Sequence, residues 1–320
     1  MCHNRAFPVD PSLRHILDDI RQHLNAVVRG KPEVIDLLIV GVMGAGHVLI
    51  EDVPGVGKTT LAKALARIFD VQFSRVQFTP DLLPADIVGT EVLKPADGSF
   101  VFHAGPVFTS VLLADEINRA SPRTQSALLE AMNEQQVTVE GVSRPLPAPF
   151  FVIATQNPVD FQGTYPLPEA QLDRFLLRVK LGYPDPDDEL KILVDRKLTD
   201  PLLALEPLAT GSHILELQDA ARHVELKESV ARYVLALCGA TREHRDLELG
   251  VSTRGALALY RAAQAHALLA DRDFVTPDDV QAMAVPVLAH RVMLAQEARY
   301  GGTAADGIIA AIVDRVAVPT

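Results

Sequence analysis

Several residue types are scarce in this chain of 320 residues. Tryptophan is absent, which says nothing about function, and there are only two cysteines, Cys2 and Cys238. These two residues lie far apart and match no spacing that is typical of a disulfide framework or a zinc site. We therefore expect two reduced thiols, with Cys238 in the protein core because its neighbours are apolar.

Positive charge is also in deficit. The 30 lysines and arginines face 41 aspartates and glutamates, which gives a formal net charge of −11 and a pI of about 5.4. Broad, sequence-independent binding of nucleic acid needs a positive field. The charge balance disfavours that class of protein, although it leaves room for a small basic groove.

Long apolar runs are missing as well. The longest, Leu37 to Gly46, contains three glycines and is too short to span a bilayer. Met1 to Asp10 lack the apolar region of a signal peptide. With 48% hydrophobic and 22% charged residues, we expect a globular cytoplasmic protein of about two domains.

The chain is organised around one glycine-rich loop. An apolar strand, Val48 to Ile50, precedes the loop, and a helical pattern follows Lys58 and Thr59. Strand, loop, Lys-Thr and helix are the parts of a phosphate-binding loop. Its lysine pairs with the β- and γ-phosphates and its threonine hydroxyl can ligate Mg²⁺, whereas the alternative is an ordinary glycine-rich turn. The residues predicted to bind the nucleotide here are Pro54, Gly55, Val56, Gly57, Lys58, Thr59 and Thr60.

One residue departs from the usual loop. The position six residues before Lys58 is normally glycine, and here it is Asp52. A carboxylate that faced a polyphosphate at ~4 Å would cost about 1 kcal/mol in water and more where screening is poor. We therefore expect Asp52 to point away from the nucleotide and to hydrogen-bond the turn.

Two acids follow a second apolar strand. Val111 to Ala114 are apolar on both faces, as in a central parallel strand, and Asp115 and Glu116 come next. Ligands of doubly wound sheets lie beyond the carboxyl ends of the strands, so this pair is expected beside the glycine loop. Asp115 can hold Mg²⁺, and Glu116 can orient and deprotonate the attacking water.

Two further positions are weaker candidates. Asn157 follows the buried strand Phe150 to Ala154, where we expect it between the glycine loop and the two acids. It can hydrogen-bond the γ-phosphate or the attacking water, although Asn-Pro is also an ordinary turn. Gly30 lies in the break between two N-terminal helices. Its backbone could contact the adenine base, and a plain turn between helices explains it equally well.

The rest of the chain divides at a linker, residues 182–186. Before it, hairpins are predicted within residues 91–106 and 136–149. After it, from Asp187 onward, the pattern is helical with no convincing strand. Arg254 lies in the first turn of one of these helices, and a helix N-terminus with an arginine can recognise a phosphate.

These features together resemble the AAA+ ATPases, which combine an α/β P-loop core with an α-helical lid. The similarity is closest to the MoxR family and covers roughly Val27 to Tyr183, with a weaker likeness through the lid. The stretches that carry it are Glu51 to Thr59, Leu113 to Ala120, Thr124 to Met132, Ala154 to Pro158 and Gly163 to Phe175.

The resemblance implies a role for each candidate at the nucleotide. Lys58 and Thr59 would belong to Walker A, with Thr59 on Mg²⁺. Asp115 and Glu116 would form Walker B, as metal ligand and catalytic base. Asn157 would be sensor 1, which raises it above an ordinary turn residue.

The resemblance also implies two arginines that read the γ-phosphate. Arg254 would be sensor 2, reaching from the lid of the same subunit. Arg174 would be the arginine finger, acting on the nucleotide of the neighbouring subunit. The alternative for Arg174 is an ion pair with Asp173 or Glu169, and Arg119 is the second candidate for the finger.

The implied architecture is an AAA+ α/β nucleotide-binding core with a parallel sheet over residues 1–183, followed by an all-α lid over residues 187–320. The core would contain the helix-2 insertion at about residues 81–106. It would also contain the hairpin that precedes sensor 1, at about residues 136–149.

The implied function is ATP hydrolysis, with ATP and Mg²⁺ bound, in a homo-oligomeric ring, expected to be a hexamer. Such a motor would be a chaperone-like remodeller or maturation factor, working with a partner that carries a von Willebrand factor A domain on a client that the sequence does not identify. The alternatives are a chelatase-type motor subunit, a nucleic-acid-remodelling AAA+ ATPase and a non-enzymatic nucleotide switch. The acidic charge counts against nucleic acid, and the full set of acids and sensors counts against the switch.

Overall fold

The computed structural model describes residues 11–53, 55–157, 164–195 and 201–319. Cys2 and Pro54, singled out above, lie outside these ranges. The strands are β1 (His47–Glu51), β2 (Phe73–Gln77), β3 (Gly89–Leu93), β4 (Phe100–Ala104), β5 (Val111–Asp115), β6 (Gln136–Val139), β7 (Val142–Pro145), β8 (Phe151–Gln156), β9 (Phe175–Val179), β10 (Leu247–Leu249) and β11 (Met293–Leu294).

The helices alternate with the strands at first and then dominate. They are α1 (Pro11–Val27), α2 (Pro32–Met43), α3 (Lys58–Ile68), α4 (Pro84–Val88), α5 (Pro122–Glu134), α6 (Glu169–Leu172), α7 (Pro186–Asp195), α8 (Gly211–His223), α9 (Glu228–Arg242), α10 (Thr253–Leu269), α11 (Pro277–Leu288), α12 (Gln296–Tyr300) and α13 (Ala305–Arg315). Short 3₁₀ turns cover Ile117–Arg119 and Ala289–Arg291. Within the described ranges, no helix is long and apolar enough to cross a bilayer.

A parallel sheet of five strands forms the centre of the core, in the order β2-β5-β8-β1-β9. Its inner strands are apolar on both faces because both faces are covered. Val48 and Ile50 pack into one apolar cluster, and Leu49 packs into a second one on the opposite face. The sheet and its two covering layers confirm the predicted α/β core.

The two predicted hairpins are present. β3 pairs antiparallel with β4, and β6 pairs antiparallel with β7. Gly98 and Gly141 take positive φ in their turns, at 68° and 78°. Hairpin β3–β4 leaves Val92, Leu93 and Phe100 exposed, by 45%, 52% and 66%.

The helical region after residue 187 matches the predicted lid with two differences. A short antiparallel pair, β10 with β11, occurs where no strand was expected, because two or three residues are too few to show a period of two. Helix α8 is a full helix of 13 residues, although the apolar pattern that predicts it is weak, near residues 215–221. Its buried Ile214, Leu217 and Ala221 belong to the apolar cluster that also contains α2, so tertiary packing stabilises it.

One apolar cluster joins the lid to the core. It runs from Ile35 and Leu38 in α2 to Leu217 in α8 and Leu259 in α10. Helix α10 also packs closely against α11. This shared cluster holds the lid against the amino end of β1, which decides where the lid arginines lie.

Candidate active site

The glycine loop connects β1 to α3 as predicted. Gly55 and Gly57 have φ of 90° and 95°, a region that side chains disfavour. A Cβ built at either position would meet no atom within 4 Å, so backbone conformation rather than crowding requires glycine. Gly57 is the N-cap of α3, and the first turn of a helix offers unpaired N–H groups to an anion.

Asp52 faces away from the loop interior, which confirms the expectation. One carboxylate oxygen accepts a hydrogen bond from the N–H of Val53 at 2.8 Å, and the other accepts one from the N–H of Gly182 at 2.5 Å. The carbonyl oxygen of Asp52 accepts a bond from Nζ of Lys58 at 2.9 Å. Asp52 therefore braces the loop against the segment that follows β9.

Lys58 lies in a mostly buried and negatively charged environment. Burial lowers the pKa of its ammonium group, and the carboxylates of Asp115, Asp52 and Glu116 act in the opposite direction. The side chain is 9% exposed. A cation held this close to three carboxylates is placed to bind a phosphate that arrives together with a metal ion.

Asp115 ends β5 and is held by two donors. Nη2 of Arg75 donates to one carboxylate oxygen at 2.6 Å, and Oγ1 of Thr155 donates to the other at 2.6 Å. The residue is 9% exposed. Arg75 comes from β2 and Thr155 from β8, the two strands that flank β5.

Glu116 follows with a left-handed backbone, φ 56° and ψ 50°. Its N–H donates to Oγ1 of Thr155 at 2.9 Å, which fixes the turn. Its carboxylate accepts from Nε2 of Gln77 and Nη1 of Arg119, both at 2.9 Å. A non-glycine residue in this conformation stores strain, which the surrounding hydrogen bonds hold in place.

Sequence reasoning assigned no role to Arg75, Gln77 and Thr155. Each lies at or near the carboxyl end of a strand next to β5. For Thr155, the usable signal was a polar residue at the end of an otherwise buried strand, whereas β2, which carries Arg75 and Gln77, is mostly exposed or half-buried and gives no such signal. The strand order is needed to see that these residues lie beside β5, and no single stretch of sequence shows that order.

Asn157 lies just beyond β8, between β5 and β1 in the strand order. That position agrees with the predicted place between the acids and the glycine loop. The carbonyl oxygen of Asn157 accepts a bond from Nδ2 of Asn118 at 3.3 Å. This contact ties the end of β8 to the turn that carries Glu116.

A pocket opens beside the glycine loop. Apolar side chains from the end of α1, the loop and the start of the lid line it, namely Val27, Val28, Val56, Pro184 and Ile192. An apolar cleft next to a phosphate site suits a planar base.

Gly30 lies next to that pocket rather than in its wall. Its neighbours Arg29 and Lys31 line the pocket. Gly30 has φ of 71°, and a Cβ there would come within 2.4 Å of Oδ2 of Asp188. The positive φ of the turn and the close packing against Asp188 each explain why this residue is glycine. Contact between Gly30 and a base stays a prediction.

Arg174 and Arg254 lie together at the opposite end of the sheet. Both border one cavity, which is floored by His47 and residues 44–46 at the amino end of β1. Nη1 of Arg174 donates to the carbonyl oxygen of Leu129 at 2.5 Å, and Nη2 of Arg254 donates to the side-chain oxygen of Asn133. Since the glycine loop follows the carboxyl end of β1, Arg254 does not approach the loop of its own subunit. The predicted reach within one subunit is wrong for this arrangement of the lid.

The residues named in the alternatives for the finger have other contacts. Asp173 pairs with Arg291 at 2.8 Å, and within the described residues Arg174 forms no ion pair with Asp173 or Glu169. Arg119 pairs with Glu116 at 2.9 Å on the nucleotide edge of its own subunit.

Two family models and several known proteins match this chain. Residues 47–177 match the family described as "ATPase family associated with various cellular activities (AAA)", and residues 239–312 match the AAA lid domain. The chain is 46% identical to the uncharacterized protein YeaC of Bacillus subtilis, over 96% of both chains. It is 39% identical to chaperone MoxR1 of Mycobacterium tuberculosis, over 95% of this chain and 83% of that protein.

A solved structure is similar throughout. A putative ATPase from Cytophaga hutchinsonii superposes with a TM-score of 0.90 at 38% identity, covering 96% of each chain. The chain belongs to the MoxR family of AAA+ ATPases.

The site of this MoxR-family ATPase fits Mg²⁺. Within the described ranges, no group of three or more His, Cys, Asp or Glu side chains could hold a metal by itself. Mg²⁺ in nucleotide sites is commonly held by one or two protein ligands together with phosphate oxygens and water. Asp115 and the half-buried Thr59 at the start of α3 supply such a set, and the metal would compete with Arg75 for Asp115.

Proposed function

We propose that this MoxR-family protein is a Mg²⁺-dependent ATPase whose active site is shared between two subunits of a ring. One subunit would contribute Lys58, Thr59, Asp115, Glu116 and Asn157. The neighbouring subunit would contribute Arg174 and Arg254. The observation that carries this proposal is the separation of these two groups to opposite ends of the same sheet.

The chemistry assigned to the first group follows from its contacts. Lys58 would bind the phosphates, and Glu116 would orient and deprotonate the attacking water. Gln77 and Arg119 both donate to Oε2 of Glu116, which orients this carboxylate. Bound Mg²⁺ would neutralise charge on the phosphate oxygens.

The chemistry assigned to the second group is charge stabilisation. Arg174 and Arg254 would approach the γ-phosphate from outside the subunit that binds it. An arginine finger contributes about 10³-fold to 10⁵-fold to the rate. An isolated subunit should therefore bind ATP and hydrolyse it slowly.

Mixing two inactive variants tests the shared site. We expect Glu116→Gln to bind ATP without hydrolysing it and Arg174→Ala to be inactive as a homogeneous ring. In mixed rings, Glu116→Gln subunits supply intact arginines to Arg174→Ala subunits, which keep an intact base. Steady-state ATPase activity should then return.

Arg119→Ala is the matched control. If Arg119 acts on its own subunit, mixing it with Glu116→Gln restores nothing. Recovery in that mixture, without recovery in the Arg174→Ala mixture, would make Arg119 the finger. Failure of both mixtures to recover would contradict a shared site.

We further propose that the ring is a hexamer and remodels or matures client proteins with a partner that carries a von Willebrand factor A domain. Membership of the MoxR family supports this proposal, because the chaperone MoxR1 is similar over 95% of this chain. The exposed apolar residues of hairpin β3–β4 offer a surface for an unfolded segment. Similarity over nearly the full chain favours this function over a chelatase subunit or a nucleic-acid motor.

The partner proposal can be tested separately from hydrolysis. A purified von Willebrand factor A domain from the same organism should co-elute with the ATP-bound Glu116→Gln ring and change the ATPase rate of the unaltered protein. Equal elution with and without the domain, at an unchanged rate, would contradict it. Salt-dependent binding to DNA would instead favour the nucleic-acid motor. The cytoplasmic location stays a prediction.

A further inference from the structure

Arg291 is a lid residue that is buried in the contact with the core. It lies in the 3₁₀ turn that follows α11, and its side chain is 2% exposed. Sequence reasoning gave it no role. Its guanidinium reaches the amino end of β9, where Arg174 lies.

The contacts of Arg291 concentrate on the segment that carries Arg174. Nε donates to Oδ1 of Asp173 at 2.8 Å, and Nη2 donates to the carbonyl oxygens of Asp173 at 3.3 Å and Phe175 at 2.5 Å. Nη1 donates to the carbonyl oxygen of Leu176 at 3.2 Å. Arg174 is therefore the residue in the middle of a backbone segment that one rigid, planar group holds at both ends.

The same side chain also supports the helix that carries Arg254. A Cβ on Gly255 would lie 3.0 Å from Cδ of Arg291, so α10 begins directly against it. Oγ of Ser252, the N-cap of α10, donates to Oδ2 of Asp173 at 3.5 Å. Asp173 thus lies between Arg291 and the start of α10.

An ion pair that lies entirely within the lid provides a comparison. Nη2 of Arg272 pairs with Asp279 at 2.5 Å, and this carboxylate also bonds His266 and Thr276. Those partners all belong to the lid, so that network can only stabilise the lid itself. The pair formed by Arg291 and Asp173 instead bridges the lid and the core.

Fold stability alone is a weak reason for such a bridge. A buried ion pair often stabilises a protein no better than apolar side chains of similar size. Burial lowers the pKa of Arg291 to about 10, against the opposing effect of Asp173, so the group stays charged at neutral pH. The planar guanidinium of Arg291 additionally fixes the relative positions of the groups to which it donates.

We propose that Arg291 is a positioning residue for the shared ATPase site. By binding Asp173 and the carbonyl groups on both sides of Arg174, it sets the distance and direction between Arg174 and Arg254. The two arginines then reach the nucleotide of the neighbouring subunit together. This inference rests on the shared site proposed above.

The test measures two things separately: how well Arg291→Met subunits supply arginines to a neighbouring subunit, and how well they use the arginines of a neighbour. Arg291→Met subunits keep their own loop, Asp115 and Glu116, so Glu116→Gln subunits should restore their hydrolysis in mixed rings. Mixed with Arg174→Ala subunits, they should restore little, because neither partner supplies well-placed arginines. A misplacement of 1 Å can cost about 10²-fold in rate, and we expect a loss of about that size, with ATP affinity unchanged.

Arg272→Met is the matched control, since it breaks a lid ion pair without touching the core. It should restore activity to Arg174→Ala subunits. Arg291→Lys is the second variant. It keeps a positive charge beside Asp173 but loses the planar array of N–H donors. It should therefore supply arginines to the neighbouring subunit with intermediate efficiency. If Arg291→Met supplies arginines as well as Glu116→Gln does, the positioning role is wrong.

Two other outcomes are also decisive. If Glu116→Gln cannot rescue Arg291→Met although Arg291→Lys folds and behaves like the unaltered protein, Arg291 is merely structural and the inference fails. If Glu116→Gln and Arg174→Ala do not complement each other at all, the shared site itself fails, independently of Arg291.

Discussion

The two ends of the central sheet carry opposite chemistry. At the carboxyl end, Lys58 is surrounded by Asp52, Asp115 and Glu116. At the amino end, one cavity is bordered by four arginines and a single carboxylate, with the members Arg174, Arg254, Arg261, Arg291 and Asp173. Excess positive charge in a concave surface attracts an anion. The negative carboxyl end of one subunit and the positive amino end of another subunit are therefore complementary in charge.

The distance between the ends makes the difference functional. β1 has five residues, and at about 3.3 Å per residue it separates His47 from Glu51 by about 13 Å. No hydrogen bond spans that length. The proposed shared site therefore needs two copies of this chain placed head to tail, which is a heterologous contact of the kind that closes rings.

The largest expected effect comes from removing a charge at each end. Arg254→Ala should lower the ATPase rate of assembled rings by about 10²-fold to 10³-fold, as for the loss of one preorganised donor, and leave the ATP affinity of an isolated subunit unchanged. Lys58→Ala should weaken that affinity by about tenfold to a hundredfold. Fluorescent-nucleotide titration and steady-state kinetics measure both. If an isolated Arg254→Ala subunit bound ATP more weakly, Arg254 would act on the nucleotide of its own subunit, and the proposed difference between the two ends would be wrong.

A smaller effect is expected at the brace of the carboxyl end. Asp52→Gly restores the residue that most such loops carry, yet it removes acceptors from the N–H groups of Val53 and Gly182. We expect a free energy of unfolding lower by about 1 to 3 kcal/mol, measured by denaturant titration. Asp52→Asn keeps one acceptor and should lie between the two. A glycine variant as stable as the unaltered protein would mean that the brace is dispensable.

The smallest effect concerns pH at the amino end. Burial lowers the pKa of His47 from 6.5 to about 4, against the opposing effect of its hydrogen bond to the carbonyl oxygen of Met132. In the neutral ring, Nδ1 accepts from the N–H of Val152 and Nε2 donates to Met132. The unfolded chain takes up the proton first, so stability should fall as the pH drops below about 6.5, by about 1 kcal/mol at pH 5.5. Denaturant titrations at several pH values measure this slope.

His47→Gln is the control for that prediction. It should reduce the slope without abolishing it, because burial also lowers the pKa of His290. An unchanged slope in the variant would show that protonation of His47 does not limit stability in acid.

The nucleotide loop could be predicted because its parts are adjacent in the chain. Strand, glycines, Lys58 and helix follow one another, and the orientation of Asp52 followed from electrostatics alone. Asp115 and Glu116 could also be predicted, since an apolar strand that ends in two acids must present them at the carboxyl edge of a parallel sheet.

The contacts that complete the site could not be predicted in this way. Thr155 bonds both Asp115 and Glu116, but only the strand order brings β8 beside β5. The place of Arg254 could not be predicted either, because a family role names the residue and not the end of the sheet at which the lid holds it. Arg291 is 118 positions from Asp173, and no pattern in the sequence links the two.

The sequence by itself therefore determined the chemistry of each end. Local order along the chain specifies a strand, a turn and a helix, and these fix a phosphate site. Only the tertiary structure decided that Arg174 and Arg254 lie at the end of the sheet opposite to the glycine loop. The reason is physical: helices α8 and α10 share one apolar cluster with α2, and this long-range packing holds the lid at the amino end of β1. Which residues meet across that contact depends on the sum of many buried surfaces, and no single stretch encodes it.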